Sequence, residues 1–147
     1  MTASEKEEQL RKLAVELRLM QGSAEMLQQR MGLLRTAMTD LRVADSSLKA
    51  LKEIEDGTPI LVPMGGGTLV DAKLGDLNNV IVGIGAGVSL EMSLDGALED
   101  VSNRLGEVEK AAQSVQQQLE QILGQMQIHQ EGINRLSAEL RGVATGV

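Results

Sequence analysis

Apolar residues recur in alternating steps of three and four along two long tracts of this 147-residue chain, and that spacing admits little besides extended, paired helices. The first seam runs Leu10, Leu13, Leu17, Met20, Ala24, Leu27, Met31, Leu34, Met38 and Leu41. The second runs Leu98, Val101, Leu105, Val108, Ala112, Val115, Leu119, Ile122, Met126, His129, Ile133, Leu136, Leu140 and Val143, and His129 alone in it is not apolar.

A rounded core needs large side chains, and the sequence has no Phe, Trp or Tyr, so the core is expected to be long and thin. Ala, Glu, Lys, Leu, Arg and Gln dominate both flanks, as in coiled-coil helices. A net charge of −7 and the lack of aromatics argue against nucleic acid, which needs cations for phosphates and rings for bases. Absent cysteine removes disulfides and thiolate metal sites and fits a reducing compartment. The polar start Met1-Thr2-Ala3-Ser4-Glu5-Lys6 lacks an apolar signal core, and no apolar run reaches the roughly 20 residues of a membrane helix. A cytoplasmic protein is expected.

Three segments follow: an N-terminal coiled-coil helix (1–56), a β segment (57–93) and a C-terminal coiled-coil helix (94–147). Ser4 is the expected first cap, ahead of Glu5, Glu7 and Glu8, and Asp56-Gly57-Thr58-Pro59 the stop after an end near Glu55. The second helix is expected to start at Ser93 to Asp95 and to run to about Arg141. At about 50 residues each, the helices would be about 75 Å long. Equal lengths and a short connection favour antiparallel pairing over two parallel intermolecular coils. That pairing would set Leu48 near Leu105, Leu27 near His129 or Met126, and Leu10 near Leu140 to Val143.

The β segment contains a repeat with a period of 20 residues: Val62-Pro63-Met64-Gly65-Gly66-Gly67-Thr68-Leu69-Val70-Asp71 aligns with Val82-Gly83-Ile84-Gly85-Ala86-Gly87-Val88-Ser89-Leu90-Glu91. Each copy reads as strand, glycine turn, strand, which is a β-hairpin. Leu74-Gly75-Asp76-Leu77-Asn78-Asn79 has the composition of the turn between them. Lone hairpins are marginal in water, and these carry Ile60, Leu61, Val62, Val80, Ile81 and Val82 beside open backbone edges. Pairing with further copies of this or a related chain, closing a β-barrel, would bury both. The expected fold is therefore mostly α with a small β part: a long antiparallel two-helix coiled coil joined by two β-hairpins that form an oligomeric β-barrel platform.

Over nearly its whole length this layout resembles the α-type subunit of prefoldin, archaeal in type. The specific part is Ile60-Leu61-Val62-Pro63-Met64-Gly65-Gly66-Gly67 with Val80-Ile81-Val82-Gly83-Ile84-Gly85-Ala86-Gly87-Val88, similar to the family's hairpin signature. Thr68-Leu69 and Val88-Ser89 stand where family members often carry an aromatic or bulky residue. The resemblance implies a hexamer of two α-type and four β-type chains. It also implies an ATP-independent holdase that captures non-native polypeptides at the coil tips and delivers them to a group II chaperonin. Neither a cofactor nor a catalytic residue is implied. The alternative is a coiled-coil scaffold or spacer with specific partners at its tips.

At the tips, the candidate client-binding residues are Leu10, Leu13, Val15 and Leu17 with Leu136, Leu140, Val143 and Val147, exposed where the last turns separate. Completion of the seam is their structural alternative. The candidate oligomerisation set is Ile60, Leu61, Val62, Met64, Leu69, Val70, Val80, Ile81, Val82, Ile84, Val88 and Leu90, with Gly65, Gly66, Gly67, Gly85 and Gly87 as turn glycines. Gly83-x-Gly85-x-Gly87 does not open a helix, and Gly65-Gly66-Gly67-Thr68 lacks a P-loop lysine, so neither reads as a nucleotide site. His129 is the only histidine and has no cysteine or paired carboxylate at ligand spacing on its own face, so no metal is expected. It reads as a polar seam residue that fixes pairing register. Met20, Met31, Met38 and Met126 read as seam fillers before an adaptable client surface, and Val15 and Ile128 lie beside the seam. An enzyme is not expected.

Overall fold

The computed structural model describes residues 1–144, with side chains through residue 142. The elements run α1 (Ala3–Leu51), β1 (Pro59–Gly65), β2 (Thr68–Lys73), β3 (Val80–Gly85), β4 (Val88–Met92) and α2 (Leu94–Ala144). Two long helices flank two small antiparallel hairpins, the secondary structure that the heptads and the repeat predict.

Helix α1 begins at a reciprocal cap. The Glu5 N–H donates to Thr2 Oγ1 (3.1 Å) and the Thr2 N–H donates to Glu5 Oε2 (2.8 Å), which satisfies two amides that a helix start leaves open. The cap is therefore Thr2 and not Ser4. Both residues head a hydroxyl-x-x-Glu pattern, and starting at Thr2 adds helix. The other end comes four residues before Glu55. There the N–H groups of Lys52, Glu53 and Ile54 turn back to the carbonyls of Lys49, Ala50 and Leu51 at 3.1–3.2 Å, the tightened winding of a helix end. Gly57 then adopts φ 78° and Pro59 opens β1. At α2, Ser93 Oγ accepts the Gly96 N–H at 3.1 Å, which makes Ser93 the cap.

The chain forms two compact units. In the first, Met1–Arg35 with Lys110–Val147, α1 and α2 are antiparallel, and Ala24, Met31, Val115 and Leu136 of the seams are buried. Their register corrects the sequence expectation. Lys6 pairs with Glu139 (3.3 Å), a Cβ on Gly132 would meet Leu13 Cδ1 at 3.2 Å, and Glu16 meets His129 at 2.8 Å. One step forward on α1 thus matches one step back on α2. Leu10 falls opposite the turn before Leu136 and not Leu140 to Val143, and Leu27 falls near Gln118, about one heptad from Met126 and further still from His129. The physical reason is degeneracy: sliding one heptad along another leaves the apolar pattern matched, so polar contacts decide among registers.

In the second unit, Thr36–Glu109, the ion pairs Arg42–Glu109 (3.7 Å) and Lys52–Asp95 (2.7 Å) link the helices. Leu48 lies between them, opposite residues nearer Val101 than the expected Leu105. Ala97 and Val101 are buried here. The connector between the hairpins is fastened to the exit of α1. Asp56 Oδ1 accepts the Leu77 N–H (3.0 Å), the Gly57 N–H donates to the Leu74 carbonyl (2.9 Å), and the Leu74 N–H donates to the Thr58 carbonyl (3.0 Å). Asp76 Oδ1 accepts the Asn78 N–H at 2.9 Å, an Asx turn inside the connector.

Candidate functional site

The repeat of 20 residues survives as geometry. Val62 faces Val70 as Val82 faces Leu90, Ile60 faces Ala72 as Val80 faces Met92, and Leu61 faces Asp71 as Ile81 faces Glu91. Because side chains alternate along a strand, each hairpin has one face on which these pairs are apolar with apolar and one on which an apolar residue opposes an acid. Met64 and Ile84 are the extra residues of matching β-bulges, next to the glycine turns. Gly65, Gly66, Gly67, Gly85 and Gly87 all have positive φ. At the tip of the second hairpin Ala86 also has positive φ, 52°, where the first has Gly66.

The two hairpins are separate two-stranded sheets, β1 with β2 and β3 with β4. Of the residues expected to serve oligomerisation, Ile60, Val80 and Val82 are half-buried. Leu61 (60% exposed), Ile81 (74%), Val62, Met64, Leu69, Val70, Ile84, Val88 and Leu90 are open. A fork from α2 steadies the second hairpin: Arg104 Nη1 donates to the Gly83 carbonyl at 2.8 Å while Nη2 meets Asp100 at 2.9 Å. No motif signals Arg104, since a lone arginine on a helix resembles any solvated charge.

Among the residues expected to meet clients, Leu136 is buried, and Leu10, Leu13, Leu17 and Leu140 are half-buried in the seam. Only Val15 of the described set is exposed, at 60%. The side chain of Val143 and all of Val147 lie outside the described residues. Ile128, which precedes the one histidine in the sequence, is open as well, at 68%. His129 Nδ1 is 3.0 Å from the Gln125 carbonyl, and Nε2 is 2.8 Å from Glu16 Oε2. Both neighbours are acceptors, so only an imidazolium, with a proton on each nitrogen, satisfies both contacts. The bond to Glu16, then that to Gln125, raises the histidine pKa above 6.5; partial desolvation opposes them. The carboxylate comes from the facing helix, where single-helix spacing could not reveal it.

The sequence reading also missed a second stripe on α1. Val15, Leu19, Gly22, Met26, Gln29 and Leu33 follow the same alternation of three and four, two positions after each seam residue and about 200° round the helix, so Val15 lies on the face opposite the seam and not beside it as expected. All six are exposed. Among the described residues no group of three or more His, Cys, Asp or Glu could hold a metal ion, and no helix is long and apolar enough to cross a membrane.

The family described as Prefoldin subunit matches residues 20–139. The chain belongs to the prefoldin family. Prefoldin subunit alpha of Pyrococcus horikoshii is 35% identical over 131 aligned residues, covering 74% of this chain and 88% of that one. Prefoldin subunit alpha of Thermococcus onnurineus is 37% identical over 105 residues, 71% of each chain. Similarity in fold extends to a cryo-EM structure of filamentous PFD from Methanocaldococcus jannaschii, with TM-score 0.64, 24% identity, and coverage of 75% of this chain and 91% of that one. This prefoldin chain is thus a subunit of a chaperone family, not of an enzyme family.

Proposed function

We propose that this chain is the α-type subunit of a prefoldin hexamer that holds non-native polypeptides near the helix ends without ATP and passes them to a group II chaperonin in the cytoplasm. The observation that carries this reading is the apolar surface left open in the unit containing both helix ends. Val15 and Ile128, on different helices and next in sequence to Glu16 and His129, stay exposed. A folded chain gains nothing from such exposure, whereas a chaperone needs it to meet unfolded segments. Leu10, Leu13, Leu17, Leu136 and Leu140 join this surface when the last turns part, with Val143 and Val147 beyond them. Capture is promiscuous because open side chains on a helix surface select for apolarity and not for shape, and several weak contacts on one client combine.

The open faces and unpaired edges of the hairpins support assembly: β1 to β4 pair only in twos, and apolar strands in that state associate. Residues 57–93 would form the platform and the segments 1–56 and 94–147 the coiled coil. The test is light scattering from a chemically unfolded client diluted, without ATP, into the chain assembled with a β-type partner. Suppressed aggregation is expected, lost on removing residues 1–13 and 136–147 while assembly persists. Undiminished aggregation by the intact assembly would overturn the holdase reading.

A further inference from the structure

Hydrogen bonding alternates along an antiparallel pair, so every second residue of a hairpin strand turns its N–H and C=O away from its partner. In the second hairpin the two-residue turn closes on Gly85 and Val88 as a bonded pair. Beyond the bulge at Ile84, the pairs Gly83 with Ser89 and Ile81 with Glu91 are then the ones whose backbone groups face outward. The outer edge of β3 thus presents the amides and carbonyls of Ile81 and Gly83, and one of these is already taken: the Gly83 carbonyl accepts from Arg104 at 2.8 Å. In the first hairpin the matching outward positions are Leu61 and Pro63, and proline has no N–H to offer.

We propose that Arg104 guards the outer edge of β3 in the free chain and that a β-strand of another subunit takes over this edge on assembly. Proline blunts a strand edge permanently, whereas an arginine on a carbonyl blunts it only until a better-placed donor arrives. The fork suits a guard that must yield. Its other arm, Nη2, lies 2.9 Å from Asp100, so a guanidinium that releases Gly83 keeps a carboxylate partner. A Cβ on Gly83 would meet nothing within 4 Å, which leaves room for an incoming backbone. Beside the edge runs a groove lined by Leu41, Leu48, Val80, Val82 and Val101 together with Arg104. An extended apolar strand is the occupant that both features fit: its backbone meets Ile81 and Gly83, and its alternate side chains enter the groove. This inference rests on the assembly reading above and adds which edge is closed beforehand, and by which residue.

Full-length chains are mixed with a β-type partner and the rise in light scattering is timed. Arg104→Met and Arg104→Gln both remove the reach to Gly83 and keep a good helix former, and the polar variant separates loss of the guard from added apolar surface. Both are expected to associate severalfold faster than the wild type with unchanged helical circular dichroism. Association at the wild-type rate or slower would mean that the fork only steadies the hairpin, which overturns the guard. Gly83→Pro gives the second hairpin the edge of the first and removes an N–H that the hairpin itself does not use. It should weaken association about tenfold, the worth of one backbone hydrogen bond, and unaltered association overturns the choice of edge. Hydrogen exchange reads the same edge without any substitution. The Ile81 and Gly83 amides should exchange freely in the free chain and about tenfold or more slowly in the assembly, and exchange that stays fast in the assembly also overturns that choice. Wild-type chains that stay monomeric beside the partner count instead against the assembly reading on which the guard depends.

Discussion

The contact between His129 and Glu16 shows how much chemistry one residue gains from its register. Its place in the seam was legible, because the three-four alternation includes it; its partner was not, because naming Glu16 requires knowing which turn of α1 lies opposite. The raised pKa has a definite consequence for stability. A group whose folded pKa exceeds its unfolded value of about 6.5 contributes fully below pH 6.5, and that contribution fades as pH rises through the folded value. Stability of the wild type is therefore expected to fall on the alkaline side of 6.5. In Glu16→Gln the principal cause of the shift is removed, and this decline should shrink. With one histidine in the chain, its ring resonances report the titration directly. Identical midpoints in the two proteins would show that Glu16 does not hold the proton on the ring.

At the scale of elements, the hairpins were the most legible part, because a repeat of 20 residues can persist as structure only if both copies use the same register. The bulges at Met64 and Ile84 were not legible, since an extra residue beside a glycine turn leaves no mark in composition. The register also locates a mismatch. Both turns hold two central residues at positive φ, Gly66 at 58° and Gly67 at 77°, Ala86 at 52° and Gly87 at 75°, the twist that suits Asn-Gly or Gly-Gly. Alanine in that conformation costs about 1–2 kcal/mol. Ala86→Asn, which tolerates the left-handed region and adds less backbone freedom than glycine, should raise stability by about 1 kcal/mol, measured by denaturant unfolding. Gly87→Ala should do the reverse, and a loss of stability in Ala86→Asn would contradict the strain assigned to this turn.

For the whole molecule, the seams account for the paired helices and leave the β segment without a core of its own. That imbalance was visible in the sequence as apolar strands too few to bury one another; which side chains remain open became clear only from the pairing, with Leu61 opposite Asp71 and Ile81 opposite Glu91. Those two positions separate folding from assembly. Leu61 and Ile81 are 60% and 74% exposed in the single chain, so replacing each by lysine removes little intramolecular burial and places a cation across from an acid. The doubly substituted chain should retain the helical circular dichroism of the wild type. Its mass by light scattering should fall to that of a monomer, because a charge on an apolar strand face opposes burial against another chain. An unchanged mass would mean that these hairpin faces do not hold the assembly. Loss of helix along with mass would mean that the hairpins stabilise the chain itself, a dependence that the exposure of both residues argues against.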